Sequence, residues 1–254
     1  MSWEIIAAGF FVGTMIGLTG MGGGSLITPI MIFIFRVQPV FAVGTDLVLS
    51  ALTKIAGAIT HVRLKNVNFK ITGTLLSGSL PGAIVGFIFL RLISYFHPFS
   101  IDSFITHSLG AILIVVSVGL FYPPIWKLAD KFKSSPDVRR RVFGIRAVSF
   151  GIGFAVSITS VGSGSIFVPF LLATYAIPVS QVVGIDVFHG AILTAVAGAG
   201  HLANGTVNFN LLLNLLIGSV PGAILGSRLS VSFPKRATEI ILGSMLVVSG
   251  IKLL

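Results

Sequence analysis

The chain has 254 residues, of which 54 % are hydrophobic and only 9 % charged, and its mean hydropathy is +1.03. A soluble domain carries about a quarter charged residues, so this composition excludes one and calls for a bilayer. The net charge of +10 comes from Lys and Arg flanking apolar segments, as membrane topology requires, and does not point to nucleic acid.

At about 20 apolar residues per span, the length allows roughly eight hydrophobic segments joined by short loops. With no cysteine, disulfides, thiolate metal sites, iron–sulfur clusters and cysteine relays are excluded, and no cofactor or metal is expected. Met1 to Glu4 have no basic stretch, so the apolar run that follows reads as a membrane segment and not a signal peptide. Ile5 to Phe35 is 31 residues without a charge, too long for one span and short for two. A broken segment fits better, with two short helices meeting at Gly20, Met21, Gly22, Gly23, Gly24 and Ser25, as a re-entrant hairpin or as two short crossings. A full helix at 40–60 follows, carrying Asp46, Ser50 and Lys54 on one stripe, and then a basic loop at 61–70. Further helices cover 71–90, with the run GSLPGAIVG at Gly78–Gly86, and 104–121.

The rest of the chain repeats this order at an offset of 140 residues. FVGTMIGLTGMGGGSLITP (Phe11–Pro29) aligns with GIGFAVSITSVGSGSIFVP (Gly151–Pro169). Asp46 falls on Asp186, His61 on His201, Val67-Asn68-Phe69 on Val207-Asn208-Phe209, and GSLPGAIVG on the GSVPGAILG of Gly218–Gly226. Further on the register slips, so that Ser117 meets Ser249. The reading is two homologous transmembrane halves, 1–121 and 146–254, joined by a basic linker at 122–145.

Lys and Arg collect in short cytoplasmic loops. Here 61–70, 122–146 and 227–236 hold thirteen of the seventeen, whereas 201–210, the repeat counterpart of the first loop, has none. Placing the basic loops inside puts equivalent loops on opposite faces. The halves are then inverted, the linker is cytoplasmic and both termini lie outside. The expected fold is therefore all-α and polytopic, with two inverted repeats, each having a Gly-rich broken helix followed by three full spans. Inverted repeats with paired breaks are the pattern of secondary transporters, whose substrate lies between the breaks.

The chemistry follows from the residues at those breaks. Gly20 to Ser25 and Ser160, Gly162, Ser163, Gly164 and Ser165 each precede a short helix that Ser25 or Ser165 could N-cap, with Pro29 and Pro169 in its first turn. Free N–H groups and the positive helix end would then form an anion site; otherwise the glycines only permit close packing. Lys54 could supply a fixed positive charge. Asp46 and Asp186, the latter with His189 at i+3, stand in apolar segments and read either as a proton relay or as N-caps after Gly44 and Gly184. His61 and His201 read as wet interfacial residues at helix ends, and the small-xxx-small glycine ridges as packing surfaces.

Taken together, GLTGMGGGSLITP, VGTDL, the VNF hairpin and SLPGAIVG, each echoed in the second half, resemble the TauE/SafE family of sulfite exporters, also called the toluene-sulfonate uptake permease family. The resemblance covers nearly the whole chain. It implies a multi-pass transporter of the bacterial or archaeal cell membrane that moves sulfite, sulfonates, thiosulfate or related anions. The two breaks and the helices of Asp46 and Asp186 would line its site. The cysteine relay of a thiosulfate-passing branch has no counterpart here. The expected function is secondary transport of sulfite or an organosulfonate, coupled to protons, with the anion between the breaks. A passive anion channel, or a carrier of thiosulfate or sulfoacetate, is the alternative. An enzyme is not expected: HExxH is missing, and Val161 occupies the glycine position that a serine-protease elbow requires.

Overall fold

The computed structural model describes residues 3–19, 24–96, 101–121, 138–229 and 235–254. These form ten helices and no strand: α1 (Trp3–Thr19), α2 (Gly24–Phe33), α3 (Pro39–Arg63), α4 (Phe69–Phe96), α5 (Ile101–Phe121), α6 (Val138–Thr159), α7 (Phe167–Thr174), α8 (Val179–Ala203), α9 (Phe209–Leu229) and α10 (Lys235–Leu253). Six of them, α3, α4, α5, α6, α8 and α9, are long and apolar enough to cross a membrane, while α1 and α10 hold shorter apolar stretches. At 1.5 Å per residue α2 rises about 15 Å and α7 about 12 Å, half or less of a hydrocarbon core of about 30 Å. Each Gly-rich segment is thus a longer helix followed by a half-length one, which is why ten helices stand where about eight hydrophobic segments were expected. In the second half the helix before the break, α6, is itself of full length, and the apolar part of α10 is shorter than a span. The segment expected as linker ends inside α6, which begins at Val138.

The repeated Val-Asn-Phe has a local explanation. α3 ends with Lys65 at φ 57°, where Lys65 N–H donates to Val62 O and Asn66 N–H to His61 O. α8 ends in the same pattern, with Gly205 at φ 67° donating to Leu202 O, and Thr206 to His201 O. This is the left-handed Schellman stop. Two residues on, Asn68 Oδ1 accepts the N–H of Lys70 and Ile71, and Asn208 Oδ1 accepts that of Leu211. Each Asn is therefore the N-cap that starts α4 or α9.

Helix pairs form across the halves. α1 lies along α9, and α4 along α6. Gly78, Gly82 and Gly86 sit on the backbone of Arg146, Phe150 and Phe154; Gly218, Gly222 and Gly226 sit on Ile6, Phe10 and Thr14. The second set is the first shifted by the repeat, so the glycine ridges are packing surfaces, as expected. In the remaining pairs α3 lies against α8, and α5 against α10. Gly44 near the start of α3 touches Thr206 after the end of α8, and Gly184 near the start of α8 touches Asn66 after the end of α3. The equivalent helices α3 and α8 therefore run antiparallel. Both apolar clusters draw on both halves: one joins Leu47 and Leu75 to Ile145, Phe167 and Ile185, the other Met31 and Leu109 to Leu211 and Leu246. Large apolar side chains such as Leu52, Ile59, Ile88 and Ile217 face outward, where a soluble protein would carry charge.

Candidate functional site

The second break takes a backbone path that few residues permit. Ser160 has φ 60°, and Gly162 and Gly164 have φ 122° and 121°, a region that is essentially glycine's alone. The turn folds back on the start of α7: Ile166 and Phe167 N–H both donate to Gly162 O at 3.3 and 3.4 Å, and Val168 N–H to Gly164 O at 3.2 Å. The first N–H groups of α7 are thus occupied and are not the free donors expected there. Ile166 is the N-cap and makes no side-chain capping bond, so Ser165 does not cap. Ser25 likewise lies inside α2, and Pro29 is in its interior and not in its first turn, whereas Pro169 is in the first turn of α7. The unengaged donors are in the turn itself. The N–H groups of Gly162, Ser163, Gly164 and Ser165 have no acceptor among the described residues, although all four residues are buried. Orphaned buried N–H groups are rare, and successive ones in a turn form an anion-binding concavity.

Facing this turn is the middle of α3. The helix starts at Pro39, whose missing N–H matters little in the first turn, so Asp46 lies two turns inside and is not a cap. Asp186 lies equally deep in α8, which starts at Val179. Asp46 Oδ2 accepts the hydroxyls of Thr28, at 2.8 Å, and of Ser160; its Oδ1 accepts Ser50 at 3.4 Å. One carboxylate thereby ties α2, α3 and the second break together. Two turns on, Lys54 Nζ donates to Ser163 O at 2.8 Å and to Ser163 Oγ at 3.2 Å. Its stem passes over Gly190, with Cδ 3.1 Å from where a Cβ would stand. The ammonium lies within electrostatic reach of both Asp46 and Asp186.

Across from it, His189 Nε2 pairs with Ser79 Oγ at 2.8 Å, and the ring rests on Phe167 with centroids 4.2 Å apart. His189 Nδ1 and Asp186 Oδ1 are buried without a hydrogen-bond partner among the described residues. Asp46 and His189 are 0 % exposed, Asp186 2 % and Lys54 9 %, so the cluster is buried within the helix bundle.

The structure therefore gathers Asp46, Lys54, Ser160, Ser163, Asp186 and His189 at the α3–α8 crossing. Gly162, Gly164 and Ser165 lie in the adjoining turn. Gly20, Met21, Gly22 and Gly23 lie outside the described residues, and Gly24 and Ser25 open α2. Thr28, Ser79 and Gly190 escaped the sequence reading. A lone Thr in the apolar run of α2 was the available signal for Thr28, but a glycine that makes room for a distant lysine gives none. His201 is not wet: it is 2 % exposed, with Nδ1 at 2.9 Å from Thr206 Oγ1 and Nε2 at 3.1 Å from Ser157 O. His61, by contrast, is only partly buried.

No solved structure matches the chain. Among proteins of known sequence it is 37 % identical to the "Probable membrane transporter protein YjnA" of Bacillus subtilis, over the full length of both. It is 28 % identical to the "Probable membrane transporter protein MJ0441" of Methanocaldococcus jannaschii, covering 98 % of this chain and 94 % of that one. The family described as "Sulfite exporter TauE/SafE" matches residues 5–253. The chain is a multi-pass helical membrane protein that belongs to the TauE/SafE sulfite exporter family of transporters.

Proposed function

We propose that the chain is a proton-coupled secondary transporter of a small sulfur-containing anion, sulfite or an organosulfonate, working by alternating access of its two halves. One observation carries the reading: in the second break the N–H groups of four buried residues, without acceptors among the described residues, adjoin the Lys54 ammonium between α3 and α8. Donors of this kind hold an oxyanion by directed hydrogen bonds, and a single fixed cation offsets part of its charge. Burial of the whole cluster corresponds to the occluded step of the cycle, and Asp46, Asp186 and His189 are the candidates to carry the proton. The antiparallel run of α3 and α8 supports halves inverted in the cell membrane, with the basic linker cytoplasmic and the termini outside.

The test is uptake of labelled sulfite into proteoliposomes, with and without an imposed pH gradient, competed by thiosulfate, sulfate, sulfoacetate and toluenesulfonate. Saturable, gradient-dependent uptake is expected. Uptake that neither saturates nor responds to the gradient would indicate a passive pore instead, and no flux of any sulfur anion would refute the substrate class.

A further inference from the structure

The two halves are built alike, but the surroundings of their aspartates are not. Asp46 is held by three hydroxyls, those of Thr28, Ser50 and Ser160. Shifted by 140 residues, the positions of these three hold Val168, Gly190 and Gly20, none of which has a hydroxyl. Asp186 accordingly keeps a buried oxygen, Oδ1, with no partner among the described residues. The same break in symmetry explains a second orphan. Ser79 pairs with His189, but the counterpart of His189 is Leu49, and the counterpart of Ser79, Ser219, has a buried hydroxyl without a partner among the described residues. Leaving a buried polar atom unmatched is costly, so each such atom calls for a partner that binds there.

We propose that the two repeat-equivalent aspartates have divided roles: Asp46 is a latch that fixes the second break against α2 and α3, while Asp186, with His189 beside it, is the proton-carrying side of the anion subsite. The proposal rests on the transporter reading above. Among the described residues, Lys54 from α3 is the charged group facing Asp186, and Asp46 acts on the same lysine. His189, one turn further along α8, shares its helix face, and α4 and α7 present Ser79 and Phe167 to that histidine. A proton passed from hydronium, which is left as water, onto Asp186 Oδ1 makes an O–H that donates to an oxygen of the anion held at Lys54. Its release regenerates the carboxylate, and no other bond is made or broken. Asp46 has no comparable freedom, because its oxygens already accept three donors.

Thermal unfolding of the purified protein and sulfite flux in proteoliposomes together test the assignment, using Asp46→Asn, Asp186→Asn and Asp186→Glu. Asp46→Asn is expected to lower the unfolding midpoint, and Asp186→Asn to leave it at or above that of the wild type. Asp186→Asn is further expected to reduce gradient-driven sulfite accumulation roughly tenfold or more and to flatten its pH profile, with partial recovery in Asp186→Glu. Asp46→Asn protein that remains folded is expected to keep the shape of the wild-type profile. The assignment is overturned if Asp186→Asn melts below Asp46→Asn or retains the wild-type pH profile. Wild-type sulfite flux indifferent to the gradient would refute proton coupling instead, and the order of melting would still decide which aspartate is the latch.

Discussion

Gly82 and Gly73 lie on the same helix, α4, and replacing each with alanine should move stability in opposite directions. Alanine is the better helix former by about 1 kcal/mol, so substitution where nothing intervenes is stabilising. Gly73 is such a site: a Cβ there would meet nothing within 4 Å, and Gly73→Ala is expected to gain about 0.5–1 kcal/mol. At Gly82 the same methyl would stand 2.8 Å from Phe150 C and 3.0 Å from Phe150 Cα, on the backbone of α6. The Phe150 carbonyl oxygen is nearer still, and carbon atoms settle at about 3.5 Å or more, so α4 and α6 must part by at least about 0.7 Å along the contact. Backbone cannot step aside as a side chain can. Overpacking of this kind costs about 1–3 kcal/mol, and parting the helices also weakens their Cα–H···O contacts, worth about 0.5–1 kcal/mol each. After the propensity gain, Gly82→Ala should be less stable than the wild type by about 1–2 kcal/mol, and less stable than Gly73→Ala by about 2–3 kcal/mol. Reversible unfolding in mixed micelles measures the difference. The repeat supplies a second trial at Gly222, where a methyl would be 3.0 Å from Phe10 C. Equal stability of Gly82→Ala and Gly73→Ala would refute the claim that these ridges exist for backbone contact.

Removing the caps in Asn68→Ala and Asn208→Ala should each destabilise by about 1 kcal/mol in the same unfolding assay, with little change in substrate affinity. Gly190→Ala places a methyl against the end of the flexible Lys54 side chain. It should therefore leave the unfolding midpoint nearly unchanged while weakening sulfite binding measured by calorimetry; unchanged affinity would separate Gly190 from the site. Lys54→Met should abolish that binding, whereas Ser163→Ala keeps the carbonyl that Lys54 contacts and should lose far less. At the foot of α7, Arg141 Nη2 donates to Thr174 O at 3.2 Å and its guanidinium lies 5.5 Å from the Tyr175 ring centroid. Burial pushes the Tyr175 phenol up from its usual value of 10.0, with Arg141 opposing. The neutral phenol is thus favoured in the folded protein, a contribution that is complete below pH 10 or so and lost as pH rises through the higher folded value. Ultraviolet titration against Tyr175→Phe should show this tyrosine ionising late.

Composition and spacing alone give an all-helical membrane protein, a 140-residue self-similarity and two Gly-rich segments that interrupt apolar runs. Those features rest on composition, spacing and unusual residues in apolar runs, and a bilayer leaves few other ways to bury them. Gly78, Gly82 and Gly86 announced close packing because small residues every fourth position form one helix face, and Asp46 and Asp186 stood out because a carboxylate at that depth is costly. Partners, however, are set across the fold. Only the tertiary arrangement decided that α1 packs on α9 and α4 on α6, so that each apolar core mixes the two halves. It also decided that Asp46 lies within its helix and is not a cap, since propensity allowed α3 to begin anywhere near Gly44. Thr28, Ser160 and Asp46 are far apart in the chain and meet through packing. The orphan state of Asp186 follows from hydroxyls missing at the counterpart positions Val168, Gly190 and Gly20, a difference that has meaning only because Thr28, Ser50 and Ser160 are seen to hold Asp46.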